Sequence, residues 1–127
     1  MLVNRKTIDQ VAQTPLIVHV RAELVYFSAS TAAKLDITGG DYIHFNNDEE
    51  HWTFWVNNDP DGFLCTSEHN GSVRVFSRPL AQLILKSVKK SPVAQFYVIE
   101  TMAKLDGSKV FEILTNKTVK ETGKETV

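Results

Sequence analysis

The chain has 127 residues, 43% of them hydrophobic and 23% charged, which are the proportions of one globular domain and exclude disorder for most of its length. A single cysteine, Cys65, excludes an internal disulfide, and no run approaches the ~18 apolar residues a membrane helix needs. The net charge of −1 hides an asymmetry: residues 1–63 hold 4 Lys and Arg against 9 Asp and Glu, and residues 64–127 hold 10 against 6. That polarity suits a basic binding face, head-to-tail association, or an unevenly charged solvated surface. Arg5 and Lys6 are followed by Asp9, Gln10 and Gln13 rather than an apolar stretch, so the expectation is a cytoplasmic protein with no signal peptide and no membrane partner.

In chain order, residues 1–13 read as a polar lead with a partial helix over 7–13, broken at Thr14-Pro15 because the residue before proline is pushed out of the helical region. Residues 16–27 (LIVHVRAELVYF) alternate around His19, Arg21 and Glu23, as one bent strand or as two strands meeting near Ala22. Ser28 or Ser30 can cap a helix running to about Leu35, and Thr38-Gly39-Gly40 is expected to end it with a left-handed glycine. Strands over 41–46 and 51–57 follow, joined by Asn47-Asp48-Glu49-Glu50. Asn58-Asp59-Pro60-Asp61-Gly62 is the strongest turn signal, a short strand covers 63–66, and 68–71 turn again. Ser77-Arg78-Pro79 opens a second helix, and strands over 95–102 and 109–115 flank Leu105-Asp106-Gly107-Ser108. The tail 116–127, almost without apolar anchors, is expected to be mobile.

One pattern occurs twice. ELVYFSASTAAKLDI (23–37) and SVRVFSRPLAQLIL (72–85) align Phe27-Ser28 with Phe76-Ser77, Ala32 with Ala81 and Leu35 with Ile84. Two strand-like runs follow each copy. The fold expected is α+β and β-rich: a small pseudo-symmetric barrel of two β-α-β-β repeats, about 16–57 and 72–115, in a single domain of residues 1–115.

Within the first repeat, Leu35-Asp36-Ile37-Thr38-Gly39-Gly40-Asp41-Tyr42-Ile43-His44-Phe45 keeps the spacing of a known motif, and the hairpin turn Asp48-Glu49-Glu50 and strand 52–56 fall in place after it. On these residues, 24–56 resemble the swapped-hairpin DNA-binding domain of the AbrB and SpoVT transition-state regulators. The resemblance implies a duplex DNA partner, no catalysis, and interlocked repeats that two chains supply in that family and one chain would supply here. The sequence departs from the pattern at Ala32 and Ala33, where the family carries basic residues, and at Ser28, where it carries proline. A looser similarity, through the Gly-Asp and Asp-Gly-Phe signatures, is to small proteins of phages and mobile elements.

DNA binding needs cations that release counterions from phosphate. The first repeat offers Arg21 and Lys34 among many acids, so the nucleic-acid-binding set expected is Arg74, Arg78, Lys86, Lys89 and Lys90, with Arg21. The alternative is that the lysines solvate a helix end. A competing set for a protein partner or a homo-oligomer is Trp52 and Trp55 with Asp48, Glu49 and Glu50, since two tryptophans on one short strand leave an indole at the surface. Asn57, Asp59, Asp61 and Glu68 occupy positions one, three, five and twelve of a calcium-loop template, though a strand precedes the loop where a helix belongs. His19, His44, His51 and His69 with Cys65 lack zinc spacing. No phosphate loop or nucleophile elbow is present, and Asp41 reads as a turn cap, so neither an enzyme nor a cofactor is expected.

Overall fold

The computed structural model describes residues 16–48, 51–88 and 93–118. Nine strands form one sheet: β1 (Leu16–Val20), β2 (Leu24–Phe27), β3 (Tyr42–Asp48), β4 (His51–Asn57), β5 (Phe63–Leu64), β6 (Thr66–Ser67), β7 (Val73–Phe76), β8 (Ala94–Leu105) and β9 (Ser108–Thr118). Two helices, α1 (Ala29–Leu35) and α2 (Arg78–Ser87), follow β2 and β7. The segment 16–27 is thus two strands, separated by a tight turn in which Arg21 N–H donates to the Leu24 carbonyl at 2.9 Å. β9 runs three residues beyond the expected end of the domain; residues 119–127 lie outside the described set.

The sheet runs β5-β3-β4-β9-β8-β1-β2-β7-β6, and all its pairings are antiparallel. Its outermost members, β5 and β6, are consecutive in the chain and separated only by Cys65. β5 pairs with β3 and β6 with β7, so the segment 63–67 straps one edge of the sheet to the other and nearly closes a barrel. Backbone bonds hold the strap at its bend: Cys65 N–H donates to the Asp41 carbonyl at 2.8 Å and Gly40 N–H to the Cys65 carbonyl at 2.9 Å. Closure of this kind removes the long open edges through which sheets aggregate.

Alternation places one face of each of the seven longer strands inside, while the residues of β5 and β6 are exposed. Val18, Val20, Val25, Phe27, Ile43, Trp52, Phe54, Val73, Val75, Phe96, Val98, Phe111 and Ile113 are buried, with Phe54 in ring contact with Phe27, Phe45 and Phe111. α1 adds Ala32 and Leu35 to this core, and α2 adds Leu80, Ala81, Ile84 and Leu85 along one stripe. Each helix begins at a serine whose hydroxyl accepts from a free first-turn amide: Ser28 from Thr31 and Ser77 from Leu80. The end of α1 differs from expectation. Asp36 (φ 59°, ψ 44°), rather than either glycine, takes the left-handed cap, where its amide reaches the Ala32 and Ala33 carbonyls. A short aspartate side chain tolerates that backbone region, which leaves Gly40 free to turn the next corner.

The β8–β9 hairpin is longer than the sequence suggests. Asp106 and Gly107, both at positive φ (50° and 86°), make the two-residue turn that matches strand twist. The register shifts between Glu100 and Lys104, a bulge where Thr101 Oγ1 donates to the Val110 carbonyl and Met102 is fully exposed. Phe54→Ala is therefore expected to lower stability by about 3–5 kcal/mol. Met102→Ala should change it by less than about 0.5 kcal/mol, both read from urea unfolding curves.

Candidate functional site

The inward set fixes what faces out. On β7, β2, β1 and the first part of β8 (94–98) the outward positions are Arg74 and Phe76, Leu24 and Tyr26, Ile17 and His19, and Gln95 and Tyr97. Cross-strand register sets them in rows: Arg74, Tyr26, His19 and Gln95 are successive neighbours, Phe76 lies opposite Leu24, and Ile17 lies opposite Tyr97. None of these eight is Lys, Asp or Glu. The Arg74 guanidinium sits 5.5 Å from the Tyr26 ring centroid, and Tyr26 meets His19 edge-on at 5.2 Å. A cation over a ring face is attracted by the ring quadrupole, which holds Arg74 against the sheet.

Charges border this face in pairs. Arg78, at the start of α2, donates through Nη2 to Glu23 Oε1 in the β1–β2 turn at 2.8 Å. Arg74 Nε lies 3.5 Å from Glu68 Oε1, an ion pair without hydrogen-bond geometry. Arg21 projects from the same turn as Glu23 and is exposed. Of the cations expected to bind DNA, then, Arg21, Arg74 and Arg78 collect around the β7–α2 corner, two of them engaged by acids that sequence reading did not pair with them. Lys86 is exposed in the last turn of α2, and Lys89 and Lys90 lie outside the described residues.

The tryptophan set is divided. Trp52 was expected at an interface but is a core residue, 2% exposed, whose indole N–H donates to Ser87 Oγ at 2.9 Å. The cause is register: Trp52 and Phe54 share the inward face of β4, opposite Ile113 and Phe111, and Ser87 supplies the polar partner a buried indole needs. Trp55 points outward, half-buried and stacked on His44 with the rings 4° from parallel. His44 Nε2–H donates to Asn57 Oδ1 at 2.7 Å, and a Cβ at Gly62 would strike this imidazole, so only glycine fits there. Asp48 is exposed at the end of β3, and Glu49 and Glu50 lie outside the described residues.

Three of the four calcium-loop template residues have an oxygen engaged by the protein itself. Asn57 Oδ1 accepts from Asp59 N–H and Asp59 Oδ1 from Asp61 N–H, turn-forming bonds within the loop, while Glu68 faces Arg74. Among the described residues no three His, Cys, Asp or Glu side chains converge as metal ligands. Asp41 caps its turn, with Oδ2 accepting from Thr38 N–H and from the Thr38 hydroxyl. Burial, and then the Asp41 charge, push the Cys65 thiol up to about 12, which keeps it protonated and unreactive.

His19 is held below its ordinary 6.5 first by burial and then by the Arg21 charge, both of which disfavour imidazolium. The unfolded chain therefore takes up a proton before the folded one as pH falls. Stability falls as pH drops from 6.5 through the lower folded value, and this contribution is flat below it. Between about pH 7 and about pH 5 the wild type should lose more unfolding free energy than His19→Gln, measured by denaturant titration at each pH.

Among the described residues no helix is long and apolar enough to cross a membrane. No family model, curated protein or solved structure matches this chain.

Proposed function

We propose that the chain is a non-enzymatic cytoplasmic binding module that engages a protein partner through the outer face of β7, β2, β1 and β8. One observation carries this reading: eight adjoining outward positions hold Ile, Leu, Phe, Tyr, His, Gln and Arg and no Lys, Asp or Glu, with the ion pair Arg78–Glu23 at the border. An apolar and aromatic centre depleted of charge, inside a polar rim, is the anatomy of a protein interface. Tyr26 with Arg74 across from it are side-chain types that dominate binding energy, and Phe76, 59% exposed, is of a type enriched at interfaces.

A second reading keeps the duplex DNA partner and the AbrB-like origin. It is favoured by the gathering of Arg21, Arg74 and Arg78 at one corner, and by a serine-capped helix after β2 and after β7, strands that lie antiparallel to each other as a pseudo-two-fold relation between two β-α-β-β units would have them. Against it, Glu23 and Glu68 neutralise two of those cations before any phosphate arrives.

One experiment separates the two. The tagged chain, Phe76→Ser and the Arg74→Ala/Arg78→Ala pair are compared for retention of proteins from a source-cell extract at about 1 M salt, where screening acts over only about 3 Å, and for duplex DNA binding across salt concentrations. The protein reading expects a discrete retained partner that Phe76→Ser loses. DNA binding that weakens steeply with salt and disappears in the double variant would overturn it in favour of the second reading.

A further inference from the structure

A cleft on the opposite side of the sheet order lies where the end of β4 meets the start of β9. β4 and β9 pair only over Trp52–Phe54 and Phe111–Ile113, although β4 continues to Asn57 and β9 begins at Ser108. Beside the end of β4 and the start of β9 lies the end of α1, and a cavity of about 390 Å³ opens between them. That volume sits at the small end of the about 300–1,000 Å³ usual for ligand pockets, which suits a small molecule rather than a polymer.

Its lining has an apolar part and a charged part. Leu35 and Phe111 are buried and Val56 half-buried, while Lys34, Asp36 and Lys109 bring charges of both signs. Asp41 also lines the cleft, but its Oδ2 is occupied by Thr38. Among the described residues neither Lys34 nor Asp36 has an ion-pair partner, and Lys109 reaches Glu100 only at 3.9 Å. Lys34 and Asp36 stand two positions apart across a helix end, a spacing at which side chains do not face each other. Asp36, in the left-handed cap that ends α1, lines the cleft and is exposed. The cleft therefore presents an uncompensated cation and an uncompensated anion around an apolar patch.

We propose that this cleft binds a small zwitterion of the α-amino-acid class, with the ligand carboxylate on Lys34 and Lys109, its ammonium on Asp36, and a short apolar side chain against Leu35, Val56 and Phe111. Charge-assisted hydrogen bonds of both signs select a molecule carrying both groups over one carrying either alone. This site is separate from the outer face of β7, β2, β1 and β8 and stands whether or not that face binds a protein.

The test is a titration of the full chain with L-leucine, followed by amide resonances in NMR, beside two controls: leucine's des-amino carboxylate and its decarboxylated amine. Saturable shifts confined to the α1 end, Asn57 and the β8–β9 turn are expected for leucine alone. Asp36→Asn keeps a residue that tolerates the left-handed cap and removes the charge, and should weaken binding by about tenfold. Lys34→Gln should do likewise. No saturable shift with leucine, equal binding of either singly charged control, or an unchanged affinity in both variants would each overturn the proposal.

Discussion

Register across the nearly closed sheet is the constraint on which everything else rests. Successive side chains of a strand point to opposite faces, so the valines and phenylalanines that fill the barrel determine, residue by residue, what is left outside. A slip of one position on β7 would bury Arg74 and expose Val73 and Val75; the same slip on β2 would bury Tyr26. The strap at 63–67 enforces the arrangement from both sides, since it must satisfy β3 and β7 at once. Helix packing then follows, with Ile17 N–H donating to the buried Thr31 hydroxyl at 3.3 Å and fixing α1 against β1.

The charge asymmetry of the sequence takes a different meaning in this frame. β9 and β8 come from the basic half of the chain and lie between β4 and β1 from the acidic half. The two halves alternate around the sheet, so opposite charges meet as local pairs such as Arg78 with Glu23 at 2.8 Å, rather than as two poles. Exposed pairs of this kind contribute little stability, typically below about 1 kcal/mol. Their effect here is on what the surface offers: they lower the free positive charge near the β7–α2 corner.

Much of the local structure was legible because its causes are local. Ser28 and Ser77 before the helices, Pro79 in a first turn and Asp106-Gly107 between two apolar runs each carry a mechanism that acts over three or four residues. Asp36 escaped for the same reason in reverse, since glycines three and four positions later carry the stronger left-handed preference and mask a residue that merely tolerates it. What the sequence concealed are relations between distant segments. Tyr26 beside Arg74 and His19 beside Gln95 join residues 48 and 76 positions apart, and no periodicity reveals them. Trp52 misled because strand composition alone does not say which of its faces turns inward; that was decided by pairing with β9. The cleft at the α1 end was equally hidden, since α1, β4 and the β8–β9 turn that line it are far apart in the chain.

The position of the β8–β9 hairpin also governs how the molecule can come into being. It is the last part of the described chain to be synthesised, yet it fills the gap between β4 and β1 in the finished sheet. Until it emerges, β5-β3-β4 and β1-β2-β7-β6 are two ribbons linked through Cys65, with Trp52 and Phe54 on one and Val18 and Val20 on the other uncovered along facing edges. Productive assembly on the ribosome must therefore wait for the C-terminal hairpin to wedge itself into place. A nascent chain stalled before residue 94 would carry two unpaired strand edges and half a core, the kind of intermediate that chaperones hold and that neighbouring chains capture.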